Sequence, residues 1–410
     1  MSDTAQVERK RGLGVPRNVL ILGAVSFLND VSSEMTITIL PLFLGNVLHV
    51  KTAVIGFIEG FAETTASLSR MLFGWLSDRS GKRKAFALAG YALSALTKPL
   101  LYFASAWETV FSVRLADRFG KGVRTAARDA LIADSTPPEK RGLSFGFHRA
   151  ADTGGAFVGL SLVALLVWLG ERNAWHLTAS VYRNLVLVGI VPGLLTVPLL
   201  LLVRETSAVK RAQGRVRVPL DPRFKRLVAI MVLFTLGNSS DAFLMLRSQN
   251  VGLSVLHISL ILVVFNAIYT AAAMPMGAWS DRVGRPHLIR LGWFVYAAVY
   301  LLFALASAWW HIVCAWLVYA IYYAMVEAMG RALVSDFVPS EQRATAYGIY
   351  GTAVAITAFP ASLIAGILWQ GIGHWKGFGP SAPFYFGSAL ALLAALLLTA
   401  MSPRPTQSQT

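Results

Sequence analysis

Cysteine is almost missing from this chain. Cys314 is the single thiol in 410 residues, so no disulfide can close within it, and its setting in an apolar run suits a small packing residue better than a reactive nucleophile. Charge is scarce too. Asp, Glu, Lys and Arg together make 14% of the residues, against about a quarter in ordinary soluble domains. A soluble fold of this size needs more charge to wet its surface. The acidic sign is the scarcer one, 21 residues against 37 Lys and Arg. No glycine-rich phosphate loop, Cys/His array at metal spacing or nucleophile with an adjacent base is present. These absences speak against enzyme chemistry, a resident metal or cofactor, and direct use of ATP. No cleavable leader is apparent either. The first apolar segment, from Asn18, is too long for a leader's core and holds Asp30 and Glu34, so it reads as an uncleaved span.

What the chain has in quantity is apolar length. Hydrophobic residues are 55% of it and mean hydropathy is +0.58. A span needs about 20 mostly apolar residues, and twelve segments qualify: 18–48, 52–77, 85–105, 108–132, 142–170, 180–203, 225–248, 254–280, 286–307, 309–336, 342–371 and 381–401. The expected fold class is an all-α integral membrane protein of twelve transmembrane helices. The predicted division is a cytoplasmic tail at 1–17, a six-helix bundle at 18–203, a basic linker at 204–224, a second six-helix bundle at 225–401 and a tail at 402–410. The net charge of +16 is not spread evenly. Basic residues gather at Arg9, Lys10, Arg11 and Arg17, at Arg79, Lys82, Arg83 and Lys84, and most densely between Arg204 and Arg226, whereas the intervening connections carry few. This is the positive-inside pattern. It places both termini on the cytoplasmic side of an inner membrane and argues against nucleic acid as the partner.

Two landmarks occur twice. Gly74-Trp75-Leu76-Ser77-Asp78-Arg79-Ser80-Gly81-Lys82-Arg83 returns as Gly277-Ala278-Trp279-Ser280-Asp281-Arg282-Val283-Gly284-Arg285. Ala130-Leu131-Ile132-Ala133-Asp134 returns as Ala332-Leu333-Val334-Ser335-Asp336. One fold unit is used twice, as in many secondary transporters. The first loop, with Lys84, resembles the signature loop between helices 2 and 3 of the major facilitator superfamily, and the second resembles its copy between helices 8 and 9. Arg118-x-x-Lys121-Gly122 is similar to the family's fourth-helix arginine motif, with lysine where glutamine is usual. The fifth-helix Gly-Pro pair of its drug antiporters is absent; Asp152-Thr153-Gly154-Gly155 stands there. The resemblance implies two pseudo-symmetric six-helix bundles that rock about a central site. It also implies a conformational latch at Gly74, Asp78, Arg79, Gly81, Arg83, Gly277, Asp281, Arg282 and Gly284. On the chain's own chemistry, Asp78 can accept hydrogen bonds from a neighbouring helix end or arginine, and glycine permits the tight turn that follows.

Ionisable groups inside a membrane span are costly unless paired or facing water. Here the in-span charges that stand out are nine carboxylates (Asp30, Glu34, Glu59, Glu63, Asp117, Asp129, Asp152, Asp241, Glu327) and ten cations (Arg70, Lys98, Arg114, Arg118, Lys121, Arg124, Arg128, Arg149, Arg247, Arg331), a near balance that points to pairing. Span 4 is the richest. At about 100° per residue, Arg114, Asp117, Arg118, Lys121, Arg124 and Arg128 share an arc of about 120°, which cannot face lipid. Glu59, Glu63 and Arg70 line one face of span 2, and Asp30 and Glu34 lie one turn apart on span 1. Glu327–Arg331, Arg128 and Asp129 read as structural neutralisation, and His148 as a buried histidine more than a relay. A carboxylate whose surroundings alternate between wet and dry can take up and release a proton. The proton-coupling candidates are Asp30, Glu34, Glu59, Glu63 and Asp152. The substrate-binding candidates are Asn29, Arg118, Lys121, Arg149, Asn238 and Asp241.

The reading is a monomeric secondary active transporter. Its cargo is a small polar organic solute, anionic or zwitterionic, moved by alternating access with proton coupling and with efflux favoured over uptake. Its partners are that solute, protons and the lipid bilayer; no metal or cofactor is expected. A broad multidrug/H+ antiporter is the alternative, and a non-transporting receptor or scaffold is the alternative from another class.

Overall fold

The computed structural model describes residues 15–170, 176–205, 221–326 and 343–401, with Val334 and Val338. The terminal tails up to residue 14 and from 402, most of the basic linker, the Glu327–Arg331 pair and Asp336 lie outside the described residues, as do the side chains of Asp281 and Arg285. Helices follow one another along the whole described chain, with no strand among these residues. Among the described residues, nine helical stretches are long and apolar enough to cross a membrane. Three more, spans 1, 2 and 4, run beside them and carry most of the in-span charge. Together they agree with the twelve expected passes, with ends shifted by a few residues.

Three passes are interrupted. Span 1 is an α-helix at Arg17–Ser33, a π-turn at Glu34–Thr38 and a second α-helix at Leu40–Asn46. Span 3 runs as α-helix over Arg83–Thr97 and tightens to 3-10 geometry over Lys98–Phe103, where Pro99 cannot donate to the ladder. Span 7 breaks into Pro222–Gly237 and Ala242–Asn250. The break is Asn238-Ser239-Ser240-Asp241, four polar residues whose side chains compete with the helical ladder.

Spans 2 (Thr52–Ser80) and 4 (Trp107–Asp134) pack together along their length, and spans 1, 5 (Arg141–Gly170) and 6 (Ala179–Leu201) pack against each other. In the second half, span 9 (Arg285–Leu305) packs on span 10 (Trp309–Val326) and span 12 (Ala382–Ala400), and span 10 on span 8 (Val255–Val283). The halves meet where span 2 packs on span 11 (Arg343–Gln370) and span 5 on span 8.

The two ends of the molecule differ. At the end away from the Gly74–Lys84 loop, span 2 lies on span 11 backbone to backbone. A Cβ on Gly56 would stand 2.2 Å from the Ser362 carbonyl, and one on Gly366 would stand 2.4 Å from that of Thr52. Thr52 donates its backbone N–H to Gln370 Oε1 at 2.9 Å, and Thr64 donates its hydroxyl to the Ala355 carbonyl at 2.6 Å. Near the loop end a Cβ at Gly142, Gly277, Gly348 or Gly351 would meet open space among the described residues. The halves are sealed at the far end and, among the described residues, more open at the loop end.

Candidate functional site

Between the halves lies a central cavity of about 530 Å³. A second cavity of about 860 Å³ shares Ser67, Thr235, Asn238 and Val354 with it and continues toward the loop end. The walls of the central cavity are chemically unlike. Spans 1, 2 and 4 contribute Glu34, Glu59, Glu63, Arg114 and Arg118. The opposite wall offers Asn238, Ser239, Ser240 and Asp241 from the span 7 break, with Phe265, Asn266, Trp316 and Tyr323.

The first wall is a ladder of ion pairs. Arg114 grips Glu59 with two bonds, Nε to Oε1 at 3.1 Å and Nη2 to Oε2 at 2.6 Å. One turn on, Arg118 pairs with Glu63 at 2.9 Å. The register follows from the sequence. Spans 2 and 4 run in the same direction, so a carboxylate pair spaced by four residues meets a guanidinium pair spaced by four. The first rung is buried, with both side chains 5% exposed, whereas Glu63 of the second is 46% exposed.

Glu34 sits on the π-turn and accepts a short hydrogen bond from Thr38. No Lys, Arg or His among the described residues is within salt-bridge reach of it. A π-turn inside an α-helix is rare and recurs at functional sites. This one is held from span 3. Lys98, fully buried, donates to Ser32 Oγ at 3.2 Å and to Ser33 Oγ at 2.9 Å, the two residues just before the turn. Lys98→Met is expected to raise amide exchange across 30–38 about tenfold, by removing hydrogen bonds from a charged donor, while exchange in 52–80 stays unchanged.

Not every candidate reaches the cavity. Asp30 accepts from Asn29 Nδ2 at 3.0 Å and stands in the field of Asp152, Lys121 and Arg124, inside the first half. Asp152 faces His148 across 3.8 Å. Asn29, Lys121 and Arg149 also lie off the central lining. Arg149 instead reaches across the halves: it donates to the Tyr269 hydroxyl and lies 5.8 Å from that ring. Arg124 donates to Ser94 Oγ at 2.7 Å and sits over Tyr91, and Arg128 bonds Asp129 and Ser26. These are interior contacts of the first bundle.

The loop residues tie the two repeated landmarks together. Gly81 ends span 2 with φ of 69°, a left-handed turn that glycine takes without strain. Arg83 then bonds Asp134 of the second landmark, lies 3.5 Å from Asp78 and donates to the Ala130 carbonyl. Asp78 is 53% exposed and faces Arg83 of its own half, and Arg79 stacks on Trp75. With the loop end open, the loop holds span 2 to spans 3 and 4 and makes no bridge between halves among the described residues. Gly284 turns with φ of 85° at the matching place, and Arg282 is exposed.

Cavity aromatics support the multidrug alternative at the sequence level, but sequence reasoning named none of the residues that form the aromatic side. Tyr296, Tyr300, Tyr319, Tyr322 and Tyr323 form one connected cluster with Phe265 and Trp316. Tyr296 donates to Asn238 Oδ1 at 3.1 Å, which fixes the broken end of span 7. The signal was present, since Tyr319, Tyr322 and Tyr323 recur at helical spacing, but such a stripe reads equally as core packing.

Apolar helices in two sets, closed at one end around a cavity lined by charge, are the build of a membrane transporter rather than an enzyme. The profile of the Major Facilitator Superfamily matches residues 22–246 and again 227–410, and the chain belongs to that family. It is 34% identical over 391 residues to an uncharacterized MFS-type transporter of Methanocaldococcus jannaschii, covering 93% of this chain and 94% of that one. It is 25% identical over 403 residues to the inner membrane transport protein YajR of Escherichia coli, covering 93% of this chain and 82% of that one. Among solved structures, the nucleoside transporter NupG superposes with a TM-score of 0.73 at 16% identity, over 94% of this chain and 98% of that one.

Proposed function

We propose that this transporter moves a small polar organic solute, zwitterionic more than purely anionic, in exchange for or together with protons. The observation that carries the cargo class is the cavity lining. It holds four carboxylates (Glu34, Glu59, Glu63, Asp241) and two guanidiniums (Arg114, Arg118). Both guanidiniums are already paired with glutamates. A cargo carrying only negative charge would meet an excess of its own sign. A cargo carrying both signs has complementary groups on both walls.

Glu34 is the coupling carboxylate in this reading. It lines the cavity and has a hydroxyl donor beside it, and no Lys, Arg or His among the described residues lies within salt-bridge reach of it. Asp30, one turn away, and Asp152 form a second acidic pair behind it and are the reserve candidates. Glu59 is assigned to structure by its two bonds to Arg114. The loop end is taken as cytoplasmic on the positive-inside pattern. Its latch contacts between the halves belong to the opposite state of the cycle, when that end closes. Export is the proposed direction, resting on the resemblance of the loop, and the inner membrane is the proposed location.

The test is a pair of measurements in reconstituted vesicles. With Glu34→Gln, solute flux driven by a pH gradient is expected to fall to that of empty vesicles, while exchange of solute for solute at equal pH persists. Unchanged gradient-driven flux would remove Glu34 from the coupling role. The multidrug alternative keeps one point in its favour, the aromatic wall, and predicts flux of hydrophobic cations lacking any anionic group.

A further inference from the structure

Asp241 stands in the span 7 break with its carboxylate held open toward the cavity. Oδ1 accepts the Tyr319 hydroxyl at 2.7 Å and Oδ2 accepts the Tyr323 hydroxyl at 3.1 Å. Among the described residues, no Lys, Arg or His lies within salt-bridge reach of it. Each oxygen therefore keeps acceptor capacity, because an ionised carboxylate has about four lone-pair sites. Around it are rings. Phe265 lies edge-on to Trp316 at 5.7 Å and to Tyr323 at 5.6 Å, and 5.9 Å from Tyr319. Phe265, Trp316, Tyr323 and Asp241 all border the central cavity, beside the Asn266 side chain.

An uncompensated carboxylate in an aromatic recess is a receptor for an organic cation. Ring faces attract a positive charge electrostatically, and a carboxylate supplies the hydrogen-bond acceptor that an ammonium needs. Other ligands fit less well. An anionic group would be repelled. A hard divalent cation calls for several oxygen ligands, and no metal-holding cluster occurs among the described residues. On the opposite wall, Arg118 borders the same cavity, and its Nε is buried without a hydrogen-bond partner.

We propose that the Asp241–Tyr319–Tyr323–Phe265 recess is an ammonium subsite, which seats the protonated amine of the cargo while its remaining polar groups face Arg118 and Glu63. This deepens the transporter reading above and rests on it for the word cargo. The subsite itself is a statement about binding.

The experiment measures equilibrium binding of two matched probes, 2-phenylethylammonium and phenylacetate, to the purified full-length chain by titration calorimetry. The wild type is expected to bind the amine and to bind the carboxylate about tenfold more weakly or not at all, the discrimination that a ring-lined anionic site gives. Asp241→Asn is expected to lose about tenfold in amine affinity, as removal of a charged hydrogen-bond partner implies. Should Asp241→Asn fail to fold, Phe265→Leu is read in its place and is expected to weaken the amine selectively. Equal binding of the two probes, no binding of the amine, or amine affinity unmoved in the folded variants would each overturn the subsite. Counterflow in vesicles separates the two claims. Asp241-dependent amine binding together with counterflow of the bare amine overturns the zwitterionic cargo reading in favour of the multidrug one and leaves the subsite standing. Amine binding unmoved by Asp241→Asn, with no counterflow of the bare amine, overturns the subsite and leaves that reading standing.

Discussion

Arg114→Met is expected to lower stability by about 3–5 kcal/mol, because it strands Glu59 as a buried charge without a partner. The pair is buried on both sides and bonded twice. Glu59→Gln alone is expected to cost a similar amount by stranding Arg114. The double replacement Glu59→Gln with Arg114→Met is expected to recover most of the loss, since a buried pair exchanged for groups of similar volume is often neutral. Thermal unfolding of the four proteins in one detergent measures the cycle. If Arg114→Met unfolds within a degree or two of wild type, the pair carries no structural weight and Glu59 returns to the coupling candidates. The Arg118–Glu63 rung is half open to the cavity and is expected to show a much smaller effect.

Gly56→Leu is expected to abolish transport while leaving each helix bundle folded. A Cβ alone at this position would fall 2.2 Å from a span 11 carbonyl, and backbone cannot yield as a flexible side chain can. Glycines spaced by four along span 2, Gly56 and Gly60, let the two helices approach as small-xxx-small faces do in membranes. In the proposed alternating-access cycle, the contact belongs to one state only. A leucine there wedges the far end open, so the protein keeps its fold but loses the conformation described here. Cysteine at Thr235, in the shared neck of the two cavities, should then react with a membrane-impermeant maleimide added from the far side in Gly56→Leu and not in the wild-type background. Wild-type flux in Gly56→Leu would show that this seal is not part of the cycle.

How much of this was legible beforehand divides along physical lines. Span count, the basic end and the charged face of span 4 are properties of composition and periodicity, which local sequence fixes. The pairing of Glu59 and Glu63 with the span 4 arginines was within reach, since matched four-residue spacings on parallel helices permit little else. The π-turn at Glu34–Thr38 was not. It depends on Lys98 reaching Ser32 and Ser33 from another helix, a tertiary contact without a local signal. The break at Asn238–Asp241 was half legible. Both end residues drew notice as polar groups in a span, but the competing side-chain bonds that interrupt the helix show only as four polar residues in a row. Lys121 and Arg149 share the charged face or the helix of true lining residues, yet helical phase does not tell a cavity from the interior of a bundle.

The ion-pair ladder has one more consequence. A membrane potential does about 2.3 kcal/mol of work per elementary charge per 100 mV, and only on net charge that is displaced along the field. Arg114 with Glu59, and Arg118 with Glu63, travel as neutral dipoles when the first bundle rocks, so voltage finds little in them to pull. In the proton-coupled cycle proposed above, these two rungs add little to the charge that the field moves, beside the proton, the solute and the bundle's other ionisable groups. The ladder is therefore nearly silent in the transporter's electrical signature, and the reversal potential of its current tests the proposed exchange of proton and solute.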